Sequence, residues 1–142
     1  MSTFVVDASV VIKWFIPEVH SEAARRLLEY GHQYVAPDLL FAETANAIWK
    51  KVRRGELSSG HGQRLVTDLG RVAVETVSCR ALAADAHALA TGIGRTVYDA
   101  MYLTLAVRLE TRMITADERL AGALAAIPLI ATHVQTVQAF SG

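Results

Sequence analysis

Apolar and polar positions alternate along the chain in two rhythms, one of short β-favouring runs and one of helical faces. Phe4 to Val6 reads as a strand that stops at Asp7, and Ser9 is placed to cap a helix over Val10 to Phe15 before Pro17 breaks it. From Ser21 to Tyr30, Ala23, Leu27 and Leu28 share one helical face, and Gly31 ends the element. Tyr34 to Ala36 is a second strand. Asp38, a natural N-cap, opens a helix that runs through Leu40, Ala47 and Trp49 to the basic end KKVRR and stops at Gly55.

The second half repeats the alternation. Ser58 or Ser59 caps a helix reaching Leu69, with Gly60 and Gly62 unfavourable inside it. Ala73 to Val77 reads as a strand, Ala81 to Ala90 as a helix, and TGIGR as a loop before a helix from Val97 to Leu109. Arg112 to Thr115 is a strand, Asp117 to Ala125 a helix, and Ile127 to Ala131 a last strand. Helices alternating with short strands predict an α/β fold, a parallel sheet between helical layers, whose ligands lie beyond the carboxyl ends of the strands.

Against this frame four acids stand out because each is set in an apolar stretch: Asp7 in FVVDASVVI, Glu43 in LLFAETANAIW, Asp99 in TVYDAMYLTLA and Asp117 in MITADERL. A carboxylate carried into a core without a partner is costly, so such an acid pairs with a cation, caps a helix or binds a metal ion. Asp7 and Asp117 each follow a predicted strand, which puts them on one rim. Glu43 and Asp99 start from helices. Each acid also has an ordinary reading: a cap at Asp7, a dipole-favoured residue at Glu43, an ion pair of Asp99 with Arg95 or Arg108, and a helix-opening residue at Asp117. The four together are specific where no single one is.

Composition narrows the chemistry. The 142 residues have the length of one ordinary domain, taken as 1–142, and 52% hydrophobic content suits a folded core. Fourteen basic residues balance fourteen acidic ones, so any polyanion must be held by local patches. The single cysteine, Cys79, excludes an internal disulfide and a cysteine-based zinc site. The five histidines lack HExxH or HxH spacing. Oxygen-only donors select hard cations such as Mg²⁺ or Mn²⁺, which activate water and offset charge on a phosphate under attack. The chemistry implied is phosphodiester hydrolysis. The sequence MSTFVVDAS has neither a basic leader nor a cleavage pattern, and no apolar stretch is long enough to span a bilayer, so a cytoplasmic protein with no membrane association is expected.

The segments VVDASVVIKWF, FAETANAIWK, TVYDAMYLTLA and ITADERL, in that order, resemble the PIN-domain ribonucleases, most closely the VapC toxins of bacterial toxin–antitoxin pairs. The resemblance runs from about Phe4 to Val134. It implies a PIN-like three-layer α/β/α sandwich with a central, mainly parallel sheet. It also implies a Mg²⁺- or Mn²⁺-dependent endoribonuclease acting on RNA, a cognate VapB-like antitoxin and a homodimer. Carried over residue by residue, the acids fall on Asp7, Glu43, Asp99 and Asp117, the supporting hydroxyls on Ser9 and Thr115, and Asn46 lies one helical turn after Glu43 as further support. Glu110-Thr111 departs from the pattern, since relatives commonly carry a glycine-containing turn there.

The remaining residues, and two rival functions, complete the reading. Lys50, Lys51, Arg53 and Arg54 bind phosphates or simply suit the end of a helix dipole, and Lys13 and Arg95 are phosphate candidates or solvated charges. Trp14 and Trp49 are expected in the core or an interface. A non-catalytic binding module would keep the fold without the chemistry. A phosphatase with Asp7 as nucleophile usually needs a second Asp two places on, where this chain has Ser9.

Overall fold

A computed structural model describes residues 1–142. The strands are β1 (Thr3–Val6), β2 (Gln33–Pro37), β3 (Glu75–Val77), β4 (Met113–Thr115) and β5 (Val134–Thr136). They form one sheet in the order β3-β2-β1-β4-β5, every neighbouring pair parallel. Val5, Val6, Val35, Ala36, Met113 and Ile114 are buried, as expected of central strands covered on both faces.

The helices follow the strands in sequence: α1 (Ala8–Phe15) and α2 (Ser21–Arg26) lie between β1 and β2, and α3 (Leu39–Arg53) and α4 (Ser59–Leu69) between β2 and β3. Then α5 (Cys79–Ile93) and α6 (Val97–Arg108) precede β4, and α7 (Glu118–Ala125) and α8 (Pro128–Ala131) precede β5. Right-handed crossovers send the connections from β1 to β3 over one face and the return from β3 to β4 over the other. In agreement, α1 packs on α2 and α3, α3 packs on α4, and α5 packs on α6, which lies across β1, β2 and β4. The result is the three-layer α/β/α sandwich expected from the sequence, with an all-parallel sheet. No helix is long and apolar enough to cross a membrane.

One cluster of 28 buried residues fills both sides of the sheet. A smaller one, Ile12, Ile16, Ile48 and Leu65, ties α1 to the α3–α4 pair. Gly62 is required there: a Cβ on it would stand 2.7 Å from the Val52 side chain, so the glycine that weakens α4 by propensity lets α4 close on α3.

Three boundary expectations change. Ile127–Ala131 is not a strand: Pro128 occupies a first-turn position of α8, and the last strand is Val134–Thr136. The α1 cap is Asp7, whose carboxylate accepts from the Val10 N–H, and not Ser9. Asp38 stands at the N-cap position of α3 but makes no side-chain bond to that helix; it accepts instead from the Cys79 N–H at 3.0 Å, joining the ends of β2 and β3.

The unusual Glu110-Thr111 turn has a clear geometry. Glu110 adopts φ 52°, its N–H donates to the Val107 carbonyl, and the Thr111 N–H donates to the Ala106 carbonyl. That is the Schellman arrangement, in which the left-handed position favours glycine. An ordinary side chain there costs about 1 kcal/mol. Glu110→Gly should therefore raise the melting temperature by about 2–4 °C, read by calorimetry.

Candidate active site

The sheet order reverses between β1 and β4, the two strands that leave for opposite directions, and the crevice beyond their carboxyl ends is where such a fold accepts ligands. Register brings Val6 opposite Ile114, so the next residues, Asp7 and Thr115, meet across the crevice. Thr115 Oγ1 donates to Asp7 Oδ2 at 2.5 Å and Ser9 Oγ donates to Asp7 Oδ1 at 2.6 Å. Ser9 in turn accepts from the Ala116 N–H at 2.9 Å, and Thr115 accepts from the Asp117 N–H at 3.1 Å. Two short hydroxyls thus lock the first turn of α1 to the loop entering α7.

Asp7 shares a cavity of about 160 Å³ with Ser9, Glu43, Asp99, Tyr102 and Asp117. Each acid arrives from a different element. Asp117 caps α7 by accepting from the Leu120 N–H at 3.0 Å, which frees its second oxygen from the helix. Asp99 lies in the first turn of α6, which Thr96 caps, and its Oδ2 accepts from Arg95 at 3.2 Å. Glu43 projects from α3, and its Oε1 accepts from the Tyr102 hydroxyl at 2.6 Å. Asp7 and Glu43 therefore have no cationic partner within the protein.

Burial without a counter-charge shows in their acidity. Desolvation pushes the Asp7 carboxyl up to about 6, against the opposing pull of the Ser9, Thr115 and Val10 donors. Glu43 is raised for the same first reason, with the Asp99 charge adding to it and the Tyr102 bond opposing it. Burial and the Glu43 carboxylate raise the Tyr102 phenol far enough to keep it protonated, a donor at any working pH.

The donor set of carboxylates and hydroxyls, without His or Cys, is that of a hard divalent cation. A cation would also supply what Asp7 lacks, a positive neighbour for a buried charge. As they stand, no three acidic side chains are drawn together closely enough to hold an ion. Gripping an ion requires the carboxylates to draw inward.

Other sequence candidates fall outside this cavity. Asn46 is exposed on α3 and makes no hydrogen bond to the acids. Lys13 is bound at 3.1 Å to Glu18, which also holds Lys51 at 2.6 Å. Arg54 pairs with Glu56, and Arg53 stacks over Trp49 at 5.4 Å, so the basic run is split among separate partners. Trp14 is part-buried and donates to the Ala24 carbonyl, whereas Trp49 is 53% exposed beside a groove lined by Ile48, Val52 and Val66. Arg108, the other partner considered for Asp99, pairs with Asp85 instead. Tyr102 is the site residue that sequence reasoning passed over, although it lies three places after Asp99 and so on the same helical face.

Comparison with known proteins agrees with this architecture. The PIN domain model matches residues 4–123. The chain belongs to the PIN-domain family. It is 36% identical over 119 residues to Ribonuclease VapC3 of Pyrobaculum aerophilum, covering 82% of this chain and 91% of that protein. Among solved structures, PAE2754 from Pyrobaculum aerophilum superposes with a TM-score of 0.68 at 20% identity, over 96% of this chain and 85% of that one. VapC20 of Mycobacterium tuberculosis, described as a sarcin-ricin loop cleaving toxin, gives 0.61 at 14% identity over 84% and 94%. VapBC2 from Rickettsia felis, bound to a DNA fragment from its promoter, gives 0.60 at 10% identity over 94% and 98%. At these identities the structures speak to the PIN fold alone.

The raised Asp7 pKa fixes the sign of a pH effect. Between the unfolded value of 3.8 and the folded value of about 6, the folded chain holds a proton that the unfolded chain has lost, so stability falls as pH rises through this window. Asp7→Asn removes that loss. Without divalent ions, the stability of the variant relative to the natural chain should climb by up to about 3 kcal/mol from pH 4 to pH 7. Urea melts in EDTA at both pH values measure it.

Proposed function

We propose that the chain is a divalent-metal-dependent endoribonuclease of the VapC type, cutting phosphodiester bonds of RNA and neutralised by a VapB-like antitoxin. One observation carries the reading: four carboxylates from four separate elements line a single cavity at the switch point of the sheet. Membership of the PIN family and the 36% identity to a protein named Ribonuclease VapC3 support it, and the solved VapC and VapBC structures share the fold.

Asp7, Glu43, Asp99 and Asp117 would hold one or two Mg²⁺ or Mn²⁺ ions, with Ser9 and Thr115 fixing the Asp7 carboxylate. When bound, such an ion lowers the pKa of water and offsets charge on a phosphate under attack. Glu43 or Asp117 accepts a proton from the attacking water, and the cut leaves a 5′-phosphate and a 3′-hydroxyl. Arg95, the guanidinium beside Asp99, would meet a phosphate oxygen. The proposal extends to a homodimer acting in the cytoplasm.

The test is cleavage of total cellular RNA by the purified, partner-free chain in Mg²⁺, Mn²⁺ or EDTA, beside an Asp99→Asn variant prepared identically. Discrete cuts that need metal and weaken by about 100-fold or more in the variant are expected. Equal behaviour of the two proteins across several RNA pools would favour a non-catalytic PIN-fold module whose acids serve only binding.

A further inference from the structure

Three of the four acids in the cavity have at least one partner within four residues of their own position. Asp7 is fixed by Ser9, Thr115 and the Val10 N–H, Asp117 by the Leu120 N–H, and Asp99 by Arg95 four places before it. Glu43 is the exception. Its carboxylate sits at the end of a long side chain on α3, and its one protein partner lies 59 residues further on, the hydroxyl of Tyr102 at 2.6 Å.

Tyr102 is well suited to that task. It stands in the middle of the most buried helix of the fold, with Ala100, Met101, Leu103, Thr104, Leu105 and Ala106 all buried around it, and is itself 3% exposed. A ring so confined has little freedom, so its hydroxyl marks a fixed point in the cavity. Since a phenol bonded to a carboxylate donates, it engages Glu43 Oε1 and leaves Oε2 without a protein partner. The same helix carries Asp99 one turn earlier, so the two acids that come from helices are referred to one rigid body.

We propose that Tyr102 is a positioning residue of this site: by tying up Oε1 it directs the Glu43 carboxylate toward Asp99 and presents Oε2 to a bound divalent cation or its water. The inference deepens the nuclease reading and rests on it for the meaning of the site, while its physical content is a coupling between Tyr102 and Glu43 in cation binding. Tyr102 touches neither substrate nor ion; it acts through Glu43.

The experiment is a double-mutant cycle in Mn²⁺ affinity, read from free Mn²⁺ by electron paramagnetic resonance on the natural chain, Tyr102→Phe, Glu43→Gln and the pair. Phe keeps the ring and removes only the donor. The expected result is a Kd weakened by about 10-fold in Tyr102→Phe and no further loss when the same change is made in Glu43→Gln. An unchanged Kd in Tyr102→Phe, an equal loss in both backgrounds, or no Mn²⁺ binding by the natural chain would overturn it. Should Tyr102→Phe fail to fold, the natural chain labelled with ¹³C at the tyrosine ζ carbon decides: Mg²⁺ must shift the Tyr102 resonance, and an unmoved resonance at saturating Mg²⁺ overturns the inference. Because none of these readouts uses RNA, intact coupling in a chain that cuts no RNA would remove the nuclease reading and leave this one standing. Metal-dependent cutting with no coupling would do the reverse.

Discussion

A buried carboxylate at the meeting of the two central strands is the constraint from which the rest of the molecule follows. Asp7 ends β1, caps α1 and accepts from the hydroxyls of Ser9 and Thr115, so the helix start, the β1–β4 register and the entry to α7 share one anchor. Its two oxygens are satisfied by neutral donors and its charge by none. A group in that state is costly to the metal-free fold. Glu43, Asp99 and Asp117 line the same cavity, and under the proposed reading the charge is kept for a cation that the set would share.

The surrounding architecture keeps those acids from collapsing on one another. Like charges that cannot be neutralised must be separated or occupied, and each is: Asp99 leans on Arg95, Glu43 on Tyr102, and Asp117 on the start of its own helix. The sheet supplies two of the four and the helices on either side the others, so the site exists only when the whole fold does. Distances between acids are then set by core packing instead of by flexible loops, which is what a precise ion site requires.

The fold and the four acids were legible in the sequence because both leave strong signals. Apolar runs broken by acids mark the strand ends, and periodic faces mark the helices around them. The last strand was misplaced because IPLIA is apolar without a period, where strand and helix cannot be told apart, and the true strand holds the polar Gln135. Asp38 and Lys13 show a different limit. Local propensity made one a cap and proximity made the other a candidate for phosphate or a solvated charge, but the partners that claim them, Cys79 and Glu18, are chosen by tertiary packing. Tyr102 was hidden for the same reason: its place in YDAMY is visible, but the Glu43 it reaches lies on another helix.

The central claim is that one cation is shared by acids drawn from the length of the chain. Crystals of the partner-free protein soaked in Mn²⁺ and measured at the manganese absorption edge test it without reference to any substrate. The account predicts an anomalous peak in the cavity within about 2.5 Å of oxygens from at least two of Asp7, Glu43, Asp99 and Asp117. A cavity empty of anomalous density at saturating Mn²⁺ would contradict it.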